Sequence, residues 1–190
     1  MNNIEETIKD RFQNQSDRWE SNPEHDYNIF FLKEMINQAE KNGIIRIFYS
    51  HRIDHLFSDD VFVEKLSDKI EENTTVEIFT KNITSSSILE SNFLSRMTFY
   101  QIMERKNIHV RRTPTNFTMT QEGKLSFIDF IVISNSFLIL PKTESGDQYD
   151  PISCVNDNLS VQTLNRLFDD KWQTEHDVNL QTILNATETE

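Results

Sequence analysis

Three times in succession, this 190-residue chain sets an amphipathic helical pattern directly before a short run of β-branched and aromatic residues. Ile29, Phe30, Leu32, Met35, Ile36 and Ala39 form the first apolar face, with Asp26 placed to cap its start and Gly43 suited to a left-handed C-terminal position. Ile44 to Tyr49 follows as a buried strand. The second unit pairs Phe62, Leu66 and Ile70, after the possible cap Ser58, with a strand over Val76 to Phe79. The third sets a helix over about Ser87 to Lys106 before a strand at Ile108 to Val110. Helix and strand in this alternation imply crossover connections and a parallel portion of sheet covered by helices.

The later part of the chain changes character. Leu125 to Ile133 and Phe137 to Leu140 read as two strands joined by the hairpin-compatible turn Ser134-Asn135-Ser136, so the parallel part ends in an antiparallel pair. A polar loop over Thr143 to Asn158 then leads to a final helix marked by Leu159, Leu164, Leu167, Phe168 and Trp172. Three segments result. Residues 1–25 form a loosely attached N-terminal helix (Ile4, Ile8, Phe12) with a polar linker, and residues 26–172 form the domain. Residues 173–190 form an acidic tail whose Val178, Leu180, Ile183 and Leu184 can dock on the domain or on a partner.

Acidic residues outnumber basic ones by 31 to 19, and the net charge of -12 opposes nonspecific binding to nucleic-acid phosphates or anionic membranes. One cysteine, Cys154, permits neither an internal disulfide framework nor a multi-thiolate metal site, which fits a reducing compartment. The charged N-terminus and the lack of a long apolar run predict a soluble, cytoplasmic protein. Three glycines cannot build the phosphate-cradling loops of dinucleotide or Walker-type sites, and no cofactor is implied.

From Tyr27 to Trp172 the order of elements resembles the phospholipase D-like superfamily. The resemblance ends in a helix reading Leu164-x-x-Leu167-Phe168-x-x-x-Trp172. It implies a three-layer α/β domain with a mixed sheet flanked by helices, equivalent to one lobe of the two-lobed enzymes or one subunit of the homodimeric ones. Enzymes of that family carry His-x-Lys followed, after four residues, by Asp, on the strand before the hairpin. Aligned on that strand, the nucleophilic histidine is replaced by Phe127, the phosphate-binding lysine by Asp129 and the supporting aspartate by Ser134. Phenylalanine can neither attack phosphorus nor protonate a leaving group, and an aspartate repels the phosphate a lysine holds. The resemblance therefore implies a non-catalytic binding or assembly module, regulatory and homodimeric, with Phe127, Asp129 and Phe130 at the interface.

Two other readings stay open. His51, Asp54 and His55, directly after the first strand, offer a relocated site for a phosphodiesterase or metal-dependent hydrolase. His51, Arg52, Lys81 and Arg111 at strand ends offer a positive pocket for an anion or nucleotide sensor, although alternation sends Arg111 and Arg112 to opposite faces. Beyond a second copy of itself, a protein partner is the expected macromolecular contact. Ser85, Ser86 and Ser87 read as helix caps, and Cys154 lacks a basic neighbour to activate it.

Overall fold

The computed structural model describes residues 2–49, 54–80, 83–113, 119–121, 124–126, 129–140, 150–173 and 175–186. The three helix–strand units form as the periodicity requires. Helix α1 (Asn2–Gln13), strand β1 (Glu20–Ser21) and helix α2 (His25–Asn37) lead into β2 (Ile44–Tyr49). Helices α3 (Asp54–Phe57) and α4 (Asp60–Glu71) lead into β3 (Thr75–Thr80), and α5 (Ser85–Glu90) and α6 (Asn92–Ile102) into β4 (Ile108–Arg112). Strands β2, β3 and β4 pair in parallel, with Tyr49 opposite Thr80 and Thr80 opposite Arg112 at their C-terminal ends.

The antiparallel half follows. A small two-stranded sheet, β5 (Met119–Gln121) with β6 (Lys124–Ser126), precedes β7 (Asp129–Ile133), β8 (Ser136–Leu140) and β9 (Ile152–Cys154). The main sheet has the order β1-β9-β8-β7-β2-β3-β4, with β7 antiparallel to β2. Helix α7 (Asn158–Trp172) covers one face, and α8 (Leu180–Asn185) packs with α5 and α6 on the other. No described helix is long and apolar enough to cross a membrane.

Strand alternation sorts the core into two layers. Ile45, Ile47, Tyr49, Ile78, Val110, Ile131 and Ile133 face the helices α1 to α6, where Phe31, Leu32, Met35, Leu66, Phe93 and Met97 meet them. On the opposite face Phe130, Phe48 and Phe79 stand side by side across β7, β2 and β3 beneath α7. Because helices cover both sides, β2 and β7 read as nearly continuous apolar runs.

Local chemistry departs from the expectations at several points. Asp26 lies in the first turn of α2, whose N-cap is Glu24 with no side-chain cap bond. Asn42 (φ 61°) adopts the left-handed conformation, whereas Gly43 is required by a close approach: a Cβ there would stand 2.8 Å from the Glu40 carbonyl oxygen. Asp59 caps α4, and Ser58 instead accepts from the Phe93 amide at the start of α6. The single helix expected over Ser87 to Lys106 breaks at Ser91, whose hydroxyl accepts from the Leu94 amide and starts α6 anew. Thr84, with Ser87 reciprocating, caps α5. The strand expected over Leu125 to Ile133 is two strands, and the loop over Thr143 to Asn158 contains β9.

The first and last described helices, α1 and α8, are built into the domain. Ile8 is fully buried, and Arg11, only 6 % exposed, reaches Tyr27, Glu20, Ser153 and the Arg18 carbonyl. At the other end, residues 177 and 178 cover the edge of β4: the Val178 amide donates to the Val110 carbonyl (2.7 Å), and Gln101 brackets the segment by bonding Val178 and Leu180. Asp177 accepts from Arg111 Nε (2.7 Å) and lies 2.9 Å from His109 Nδ1. Burial works to raise the Asp177 pKa, but the hydrogen bonds from Arg111 and His109 outweigh it and hold the carboxyl below its usual range. The folded state therefore gains from this ion pair above about pH 3.9 and loses it as the pH falls through the lower folded value. Asp177→Asn is expected to raise hydrogen exchange at the Val178 amide at neutral pH while leaving β2 and β3 protected; unchanged exchange at Val178 counts against the clamp.

Candidate functional site

The C-terminal ends of β2, β3 and β4 and the start of β7 meet at one rim, where open α/β sheets place their ligands. On the face turned to the helices α1 to α6, β7 contributes Asp129, β2 Tyr49, β3 Thr80 and β4 Arg112. Asp129 is 4 % exposed and Thr80 fully buried, whereas Arg112 at the sheet edge is exposed. The Tyr49 hydroxyl lies 3.3 Å from Ser91 Oγ, which lies 3.2 Å from Ser58 Oγ, and Ser58 accepts from the Phe93 amide. Beneath this chain of hydroxyls the rings of Tyr49, Phe57, Phe62 and Phe93 pack at centroid distances of 5.0 to 6.3 Å. The hydroxyls of Thr80 and Thr113 are buried without a hydrogen-bond partner in the described chain.

The candidate residues distribute unevenly about this rim. His51, Arg52, Lys81 and Phe127 lie outside the described residues. Asp54 opens α3, and His55 follows it with an exposed side chain. Beside His55 stands a histidine the sequence reading missed: the His25 ring lies 5.9 Å from that of His55, and His25 Nε2 lies 3.4 Å from Asp59 Oδ2. No spacing rule connects His25 with His55, because the contact joins α2 to α3 across thirty residues of chain. Among the described residues no group of three or more His, Cys, Asp or Glu side chains is placed to hold a metal ion.

Two expectations are corrected by packing. Arg111, expected to hold an anion, points to the α7 face. There it bonds Asp177 and the Trp172 carbonyl and stacks over the Trp172 ring at 4.1 Å. Phe130, expected at a dimer interface, is fully buried under α7 against Phe48 and Phe168. Ser134 lies at the opposite end of β7 from Asp129, with its φ at 51°, and its hydroxyl donates to the Gln38 carbonyl. Cys154 is fully buried, and burial pushes its thiol pKa up, away from reactivity.

A parallel β2-β3-β4 half, an antiparallel β7-β8-β9 continuation and helices on both faces define the phospholipase D-like α/β fold. Solved structures carry the same architecture. The chain superposes on Nuc, a phospholipase D family member from Salmonella typhimurium, with a TM-score of 0.54 at 12% identity, covering 85% of this chain and 96% of Nuc. The archaeal chromatin protein TrmBL2, whose structure shows a novel mode of DNA binding, gives 0.58 at 11% identity over 93% of this chain. Phosphatidylserine synthase from Haemophilus influenzae Rd KW20 gives 0.50 at 10% identity over 94%. The chain spans 61% of the TrmBL2 chain and 46% of the synthase chain. No protein-family model matches it, and no curated protein matches it by sequence. Likeness at this level of identity establishes the fold and leaves the activity to the residues at the rim.

Proposed function

We propose that this chain is a non-catalytic phospholipase D-like module that binds or assembles rather than hydrolyses phosphodiesters. The observation that carries the reading is Asp129: where the family's lysine neutralises phosphate, the rim presents a carboxyl only 4 % exposed. A carboxyl supplies no positive charge to a phosphorane developing negative charge. Sequence supports the same reading, since none of the five histidines is followed two residues later by lysine. Regulation through a partner, with homodimerisation as its simplest form, is the role this reading assigns to the chain. The buried Phe130 takes no part in that contact.

The test is turnover of bis(p-nitrophenyl) phosphate and of single-stranded DNA, with and without divalent cations. Rates at the buffer level are expected. Light scattering after size exclusion is expected to give a dimer at micromolar concentration, and a monomer would remove the homodimeric form of the proposal.

The proximity of His25 and His55 favours one competing reading, a hydrolase with a relocated site. Measurable hydrolysis that falls at least a hundredfold in His55→Ala and in His25→Ala would establish it. Hydrolysis surviving both substitutions would place the chemistry elsewhere and overturn both readings.

A further inference from the structure

At the other end of the sheet, the last turn of α1, the C-terminal end of α2 and the β7–β8 hairpin enclose an open cleft of about 190 Å³. Gln15, Gln38, Asn135 and Asn156 line it together with Glu40 and Phe12. Gln15, Gln38 and Asn135 are exposed and Asn156 is half-buried, so these side-chain amides, unbonded within the described residues, are open to an outside partner. A second hollow of about 440 Å³ lies between α1 and α2, lined by Lys9, Gln13 and Glu34 as well as Phe12 and Gln38. Phe12 and Gln38 line both hollows.

The lining chemistry selects among ligands. No lysine or arginine lines the inner cleft, so nothing there neutralises a phosphate or a carboxylate. Each side-chain amide offers donors and an acceptor together, which matches hydroxyl groups that also donate and accept. A carboxylate such as Glu40 accepts from two neighbouring hydroxyls, and an aromatic ring such as Phe12 packs against an apolar face of C–H groups. The inner volume lies below the roughly 300 Å³ of sites for drug-sized molecules, which suits a ligand of one ring with room to extend outward. The backbone here is held in place without a ligand: Ser134 bonds the Gln38 carbonyl, and the Asp157 amide donates to the Asn135 carbonyl.

We infer that this cleft binds a neutral, polyhydroxylated ligand of the sugar class, one ring seated among the amides and a second able to follow over Phe12. The site is separate from the rim of Asp129, because β7 runs from that rim to this cleft. Success or failure here leaves the phosphodiesterase question untouched.

Saturation-transfer NMR and titration calorimetry with glucose, N-acetylglucosamine and maltose test the inference, with glucose 6-phosphate and inorganic phosphate as anionic probes. Saturation transfer to the protons of at least one neutral sugar is expected, with inorganic phosphate giving no heat of binding in the calorimeter. The double variant Asn135→Ala/Asn156→Ala removes two sets of hydrogen bonds from the cleft walls and is expected to weaken binding about tenfold or more. Glu40→Gln, which keeps the shape but changes the acceptor, is expected to weaken it less, and an unchanged melting temperature in either variant excludes unfolding as the cause. No transfer to any neutral sugar overturns the inference, as does binding that survives the double variant or binding of phosphate in preference to sugar.

Discussion

Phe168→Ala is expected to lower the stability of this protein by about 3–5 kcal/mol, the range for truncating a large aromatic side chain in a packed core. Phe168 is fully buried and packs against rings from β3, β7 and its own helix at once: Phe79 at 4.8 Å, Trp172 at 5.0 Å and Phe130 at 6.4 Å between ring centroids. Strand register puts Phe130, Phe48 and Phe79 in one row with Arg111 at its end, and Trp172 closes that end between Phe79 and the Arg111 guanidinium. Arg46 lies over Phe168 and ties the strands to the helix, bonding Glu77 on β3 and Asn165 and Asp169 on α7. Removing the central ring leaves a cavity that neighbouring rings, fixed by these contacts, fill only in part. For a chain of this size the loss corresponds to a melting temperature lower by roughly 10 °C. Phe168→Leu, which retains most of the volume, is expected to cost about 1.5 kcal/mol or less. A loss below 1 kcal/mol for the alanine variant would mean that α7 does not pack on the sheet in solution.

That α7 layer shows how much of the fold the residues announce. Phe48, Phe79 and Phe168 each sit at the right phase of a strand or helix, so period alone assigns them to a core. Which of two cores they join is settled by register between strands far apart in sequence, a long-range property no window of residues contains. Arg111 illustrates the consequence: at a strand end, with a basic neighbour, it reads as an anion ligand, yet Asp177 and Trp172, more than sixty residues onward, engage it. The same limit hides the His25–His55 contact. Asp129 and Ser134 were legible as departures from the pattern of the family the chain resembles because that pattern is local, eight consecutive positions of sequence. The amide-lined cleft was not legible, since its Gln15, Gln38, Asn135 and Asn156 come from four separate turns.

The N-terminal helix is the place where the expectation differs most from the fold, and it yields the second large effect. Ile4, Ile8 and Phe12 suggest only a weak stripe, but Arg11 between them is almost completely buried. Its guanidinium bonds Tyr27 and Ser153 Oγ (3.2 Å), and Tyr27 in turn donates to Glu20 Oε2 at 2.6 Å. Arg11→Met, which keeps the stem and removes the charge, is expected to destabilise the protein by about 2–3 kcal/mol. This is less than the 3–5 kcal/mol for breaking a fully buried pair, because Glu20 remains about one-third exposed and regains water.

A pH signature separates this cluster from ordinary packing. Burial, with the hydrogen bond to Glu20, pushes the Tyr27 hydroxyl up to about 12, while Arg11 pulls the other way. Below about pH 10 the phenol is neutral both folded and unfolded, and its contribution to stability is whole; between about 10 and 12 the unfolded chain ionises first and that contribution is lost. Arg11→Met removes the opposing cation, so ionisation of Tyr27, read as the near-ultraviolet absorbance lost in a Tyr27→Phe reference, is expected to shift to higher pH. An Arg11→Met titration that moves to lower pH would show that the guanidinium does not sit beside Tyr27, and α1 would then be the loosely held helix its sequence suggests.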